Sequence, residues 1–165
     1  MTLLRAGDIG VVELRRPRPF VVFSSYAQDD ASLQTELDRH LAGLRRQSLA
    51  RFWHAGIVLV GTDVVSEARK CIDEADIILL LVSANYICSD YCYDTELPRA
   101  IERHRRNEAR VIPIIVRSCD WSGTPFADIR SLPSNKTPVT LWDNRDEAWT
   151  DVAKGIRQAI EELRG

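Results

Sequence analysis

No apolar run in this chain approaches the roughly 20 residues that a membrane-spanning helix needs; the longest, Ile77-Ile78-Leu79-Leu80-Leu81-Val82, stops after six. The N-terminus, Met-Thr-Leu-Leu-Arg-Ala-Gly-Asp, has no basic region followed by a sustained apolar core, so a secretory leader is not expected. Together these gaps exclude a membrane partner from the expectation and point to the cytoplasm. An excess of positive charge is also missing. Lys and Arg number 22 against 24 Asp and Glu, a net charge of −2. Without a basic field, nucleic acid is not an expected direct partner. Cysteine is scarce: Cys71, Cys88, Cys92 and Cys119. Cys88 and Cys92 are spaced CxxxC, but no second pair and no nearby histidine complete a zinc site. No metal is therefore expected, and the thiols are read as reduced. Internal repeats and low-complexity stretches are absent as well.

What remains is an ordinary globular composition, 45% hydrophobic and 28% charged over 165 residues. That length suits one domain with a real core. Residues 1–18 read as an N-terminal linker or extension, because Arg15-Arg16-Pro17-Arg18-Pro19 disfavours helix. Residues 19–165 form the folded domain. Its strands are expected at Phe20–Phe23 (A), Arg51–His54 (B), Ile77–Val82 (C), Arg110–Val116 (D) and Val139–Trp142 (E). Between them run helical patterns. Leu33, Leu37, Leu41 and Leu44 mark a helix of about 16 residues. Asp63 caps another that reaches Ala75, and Asp146 to Leu163 is the last. Pro113 inside strand D predicts a bulge or an unpaired side there.

Alternating strands and helices predict an α/β, flavodoxin-like three-layer fold: a five-stranded parallel sheet, order B-A-C-D-E, with helices on both faces. In that order the ligand crevice opens between strands A and C at their carboxyl ends. Ser24–Asp30 and Ser83–Asp90 border it. Immediately beyond lies Ser89-Asp90-Tyr91-Cys92-Tyr93-Asp94-Thr95-Glu96-Leu97-Pro98-Arg99-Ala100, rich in acids and tyrosines. Cys92 and Glu96, four apart, share a face on a continuous helix. Pro98 sets a choice: a helix starting near Asp94, or one starting near Asp90 and kinking. Near a helix N-terminus Glu96 would be favoured as the ionised carboxylate.

A lone ionised carboxylate suits cleavage of a ribose–base bond through an oxocarbenium-like centre when the base leaves neutral, as nicotinamide leaves NAD+. Tyrosines could stack on the base. The plainer reading pairs Glu96 with Arg99 or Arg103 on a helix surface, keeps Tyr91 and Tyr93 in the core or rim, and makes caps of Asp29 and Asp30. His54 and His104 are read as a strand-end and a surface histidine. The loop Ala55–Thr62 carries the apolar run Ile57-Val58-Leu59-Val60, either a short strand or an exposed contact surface.

Several segments together resemble the TIR (Toll/interleukin-receptor homology) family, bacterial members in particular. They are Val22-Phe23-Ser24-Ser25-Tyr26-Ala27-Gln28-Asp29-Asp30, Phe52-Trp53-His54, Ala75 through Ser83, Ser89-Asp90-Tyr91-Cys92 followed by Glu96-Leu97, Arg110 through Ile114, and Val139 through Trp142. The resemblance implies the fold above and two activities. One is cleavage of NAD+ as a substrate, by hydrolysis or cyclisation, in bacterial immune defence and triggered by self-assembly. The other is non-enzymatic signalling by TIR–TIR association. It assigns catalysis to Glu96, with Asp94 as the fallback acid. Substrate contacts fall to Ser25, Tyr26, Ala27, Asp30, Tyr91 and Cys92, and assembly to Ile57, Val58, Leu59 and Val60. NAD+, other TIR domains and a sensor domain or subunit outside these residues are the implied partners, with no cofactor. The sequence departs from the family at Ser24, at Ala27 and in the loop after strand B, which keeps only the glycine. A phosphoacceptor receiver of the same fold would want an aspartate where Ser83 stands.

Overall fold

The computed structural model describes residues 18–57 and 61–165. Its sheet is parallel with the order β2-β1-β3-β4. The strands are β1 (Phe20–Ser25), β2 (Ala50–His54), β3 (Ile77–Val82) and β4 (Arg110–Ile115). The helices are α1 (Ala31–His40), α2 (Ala42–Arg46), α3 (Val64–Glu74), α4 (Ala84–Cys88), α5 (Leu97–Arg105) and α6 (Arg145–Arg164).

β3 shows why the sheet is buried on both faces. Its six residues are all 0% exposed. Ile77, Leu79 and Leu81 join a core layer with Leu33, Leu37, Leu41 and Leu44 of the α1–α2 segment and Val152, Ile156 and Ile160 of α6. Ile78, Leu80 and Val82 face the other way, onto Ala68 and Ile72 of α3 and Leu97, Ala100 and Ile101 of α5. Strand side chains alternate faces, so a strand apolar at every position must be covered twice. The predicted 16-residue helix is broken once. Leu41 lies between α1 and α2 at φ −92°, ψ −1°, and still packs into the core.

The sheet has four strands, which corrects the expected fifth, E. Val139–Leu141 forms a 3-10 turn. Only four apolar residues separate Pro138 from Asn144, whose side chain caps α6. That leaves no length for a ladder. A single hydrogen bond, Thr140 N to Val116 O (3.1 Å), links the turn to the end of β4. The place beside β4 is taken by Leu132, which donates to Pro113 O and accepts from Ile115 N, both at 2.8 Å. Pro113 carbonyl and Ile115 N–H thus share the outer edge. The missing N–H of Pro113 faces that edge and not β3, the unpaired side its sequence position predicts. His104 Nδ1 accepts Val111 N–H at 3.0 Å on the same edge.

The apolar loop expected at Ile57–Val60 lies at residues 58–60 outside the described residues. Residues 1–17, most of the predicted N-terminal extension, lie outside them too.

Candidate functional site

β1 leads into one loop and β2 winds away on its other side, so the carboxyl ends of β1 and β3 border the crevice. Ser25 closes β1 there, and the chain after β3 turns back over it. Ser83 caps α4 by accepting the N–H of Tyr86 at 3.0 Å. Five residues later the chain reaches Ser89, whose hydroxyl accepts Cys92 N–H at 3.2 Å. Cys92–Glu96 is then a π turn, and α5 starts at Leu97. Pro98 explains the widening. In α register its absent N–H would leave Asp94 O without a donor, but within the first turn of α5 no such donor is required. Both expected alternatives are thereby replaced by a continuous helical path containing one π turn. Such turns occur often at functional positions.

The π turn carries Glu96 inward; only 4% of it is exposed. Ser25 Oγ donates to Glu96 Oε1 at 2.8 Å. Because the single Ser25 proton points at the carboxylate, the hydroxyl of fully buried Tyr86, 2.9 Å from Ser25 Oγ, donates in turn. Glu96 Oε2 and the Tyr91 hydroxyl are buried without a partner in bonding geometry. Burial raises the Glu96 pKa, while Ser25 and the nearby Tyr91 hydroxyl act against that rise. Tyr91 is itself pushed well above the ordinary phenol range, chiefly by burial. The plain ion-pair reading of Glu96 does not hold. Arg99 binds Asp73 (2.7 Å) and Glu102 (3.0 Å) instead. Buried Arg103 donates to the carbonyls of Ile72 and Ala75, both at 2.6 Å. A cavity of about 220 Å³ touches Glu96, lined also by Tyr91, Asp94, Thr95, Val65, Arg69 and Arg99. Asp94 is exposed on its rim.

The other sequence-assigned residues separate. Cys92 is buried with Glu96 and donates its thiol to Tyr26 O at 3.4 Å. Burial pushes that thiol up to about 11, so it is a protonated support and not a nucleophile at neutral pH. Ala27 is buried, and its carbonyl closes the turn to Asp30 N–H at 2.8 Å. The Tyr26 hydroxyl is directed away from Glu96, 3.2 Å from His54 Nδ1. Asp30, assigned to substrate contact, has no exposed surface. It accepts from Ser83 Oγ, from Asn85 Nδ2 at 3.1 Å and from Arg117 Nε at 2.8 Å. One carboxylate therefore ties together the loops after β1, β3 and β4. Sequence reading missed Tyr86, Asn85 and Arg117. Ser83 alone had been singled out, as the residue where a receiver would need an acid. Among the described residues, no group of three or more His, Cys, Asp or Glu side chains is placed to hold a metal ion. No helix there is long and apolar enough to cross a membrane.

The comparisons with known proteins agree with this frame. A model described as TIR domain matches residues 22–160. The uncharacterized protein y4lF of Sinorhizobium fredii (strain NBRC 101917 / NGR234) is 46% identical over 138 residues, covering 84% of this chain. The aligned region is 43% of that protein, so the chain spans less than half of its relative. Among solved structures, the TIR domains of the activated Roq1 resistosome, which directly recognises the pathogen effector XopQ, superpose with a TM-score of 0.48 at 25% identity. That superposition covers 58% of this chain and 56% of the other. With a family match across most of its length, and a parallel α/β sheet to carry it, this chain belongs to the TIR domain family.

Proposed function

We propose that the chain is an NAD+-cleaving TIR domain in which Glu96 acts on the nicotinamide–ribose bond. The observation that carries this reading is the free Oε2 of Glu96: a buried carboxylate oxygen with no protein partner, lining a cavity at the carboxyl ends of the strands. Nicotinamide leaves as a neutral base, so no second carboxyl is needed to protonate it. Positive charge develops on the ribosyl centre, and an ionised Glu96 beside it stabilises that charge strongly because water is excluded. Ser25 fixes the carboxylate rotamer, and Tyr86 fixes Ser25. Tyr91 is left with an uncommitted hydroxyl for a ribose oxygen or for Oε2.

The cavity of about 220 Å³ is smaller than the roughly 300–1,000 Å³ of sites that enclose a whole drug-sized ligand. It suits the nicotinamide–ribose end, with the remainder of NAD+ lying outside it or against a second copy. Val64 and Val65 are 47% and 48% exposed at the start of α3, directly after the apolar loop. Exposed apolar side chains adjoining such a loop support self-association. They equally favour the second reading, a TIR module that acts by association alone. Defence signalling and a sensing part elsewhere in a longer protein belong to the same proposal.

Nicotinamide release from NAD+, measured with dilute and with crowded, assembled protein, tests the enzymatic reading. Release that depends on Glu96 supports it; none in either state leaves the association module. Aspartate at Val58 and Leu59 should abolish self-association by light scattering. Unchanged scattering removes that loop from the interface.

A further inference from the structure

A second polar chain starts outside the carboxylate site and ends against it. Asp38 on α1 accepts Gln34 Nε2 on Oδ1 at 3.0 Å and faces His54 Nε2 with Oδ2 at 3.1 Å. His54 closes β2. Its other ring nitrogen, Nδ1, has two neighbours: the backbone N–H of Gly56 at 3.1 Å and the Tyr26 hydroxyl at 3.2 Å. A backbone N–H can only donate, so Nδ1 carries no proton. The one ring proton sits on Nε2 and is donated to Asp38. The tautomer and the neutral state are both written into the geometry.

The packing around the ring leaves no slack. A Cβ at Gly56 would lie 2.9 Å from His54 Cε1, 3.0 Å from Nδ1 and 3.1 Å from the Tyr26 hydroxyl, so only glycine fits. The Tyr26 and His54 rings meet edge to face, 5.5 Å between centroids. Tyr26 in turn receives the Cys92 thiol on its carbonyl, and Cys92 opens the π turn that carries Glu96. Contact is thus continuous from Asp38 through His54, Tyr26 and Cys92 to the catalytic turn.

We propose that His54 is a positioning residue and an acid-opened latch: neutral, it pins the first turn of the loop after β2 and the Tyr26 side chain at the mouth of the crevice. Protonation places an N–H at Nδ1, directly opposite the Gly56 N–H. That bond is lost, Tyr26 must turn its hydroxyl to accept, and the root of the loop comes free. The groups that face the ring are few. From α1 it sees Asp38, whose backbone carbonyl also takes Arg45 at 3.3 Å. From the loop after β1 it sees Tyr26, on which Glu96 and Cys92 act from beyond. Arg51, stacked over Trp53 at 5.9 Å, lies on the opposite face of β2 by strand alternation. No arginine or lysine in contact with the ring is available to hold it neutral at low pH. The latch therefore opens on acidification, in the range where imidazoles take up protons.

The kinetic part of this inference rests on the NAD+-cleaving reading; the structural part does not. On the full chain, the Gly56 amide and the His54 ring are followed by nitrogen-detected magnetic resonance from pH 8 to pH 5. In parallel, KM for NAD+ is measured for wild type, His54→Ala and His54→Asn. The Asn carbonyl reproduces the Nδ1 acceptor but cannot be protonated. The latch predicts an Nε2–H tautomer at high pH and a Gly56 amide that titrates with the ring. It predicts that KM rises about fivefold on acidification, the loss of one hydrogen bond. His54→Ala should show the raised KM at all pH values, and His54→Asn should restore a low KM that stays flat with pH. The kcat limb that Glu96 imposes is common to all three proteins. A Gly56 amide indifferent to the ring, or a KM rise that persists in His54→Asn, overturns the latch. Joint titration in a protein that releases no nicotinamide upholds the latch and removes the enzymatic reading.

Discussion

At Glu96 two demands oppose each other. Catalysis wants the carboxylate ionised, yet burial favours the protonated form. An acid whose pKa is raised on folding loses stability as pH climbs from its unfolded value of about 4.3 through the raised one. Glu96→Gln removes that loss. Its carbonyl keeps the Ser25 hydrogen bond, and its amide donates to the idle Tyr91 hydroxyl. We expect this variant to release no nicotinamide and to be more stable at pH 7 by on the order of 1 kcal/mol, roughly 3 °C in Tm. The gain should shrink toward pH 4; calorimetry at three pH values checks it. Ser25→Ala leaves the carboxylate unoriented and should lower kcat by about tenfold or more with a smaller effect on KM. Cys92 makes the opposite kind of prediction. Its protonated, buried thiol should resist maleimide at pH 7.5 while exposed Cys88 reacts, a contrast that mass spectrometry of the labelled chain reads directly.

Elements differ in how plainly the sequence announced them. β3 was legible to the residue because burial on both faces demands an unbroken apolar run. The Asp63 cap was legible because its side chain, 3.1 Å from Val65 N, does its work two residues away. Val139–Trp142 has the composition of a strand, but Pro138 before it and the Asn144 cap after it leave only a turn, and composition does not record that. Pro98 announced that something irregular lay there; whether a kink or a π turn resolved it depended on packing against α3 and β1. Least legible were the ties across the crevice. Ser25 meets Glu96 across 71 residues of chain, and Ser83 meets Asp30 across 53, distances over which no local pattern carries information. The Asp30 tie has a measurable consequence. Asp30→Asn strips a fully buried carboxylate from three donors, and should cost about 3 kcal/mol. Arg117 is partly exposed, so Arg117→Ala should cost less. Urea unfolding of both variants, with m unchanged, distinguishes a local loss from a changed fold.

For the whole molecule, the parallel sheet does two things at once. Its double-sided burial supplies the stability, and Leu80→Ala within it should cost about 2–5 kcal/mol. Its reversal of winding at β1 leaves a gap at the carboxyl ends, where Ser25, Tyr86 and the π turn bring one carboxylate to a small cavity. The family frame and the position of Glu96 could be read from the order of short motifs. The cage around Glu96, the engagement of Asp30 and the His54 chain could not, since each is made by residues far apart in sequence. The free carboxylate oxygen is the point on which the functional reading turns. The most direct measurement is nicotinamide release from NAD+ by assembled wild type, Glu96→Gln and Asp94→Asn side by side. The account predicts release by wild type and by Asp94→Asn, and none by Glu96→Gln. Release that survives Glu96→Gln, or that is lost in Asp94→Asn while the fold is intact, contradicts it.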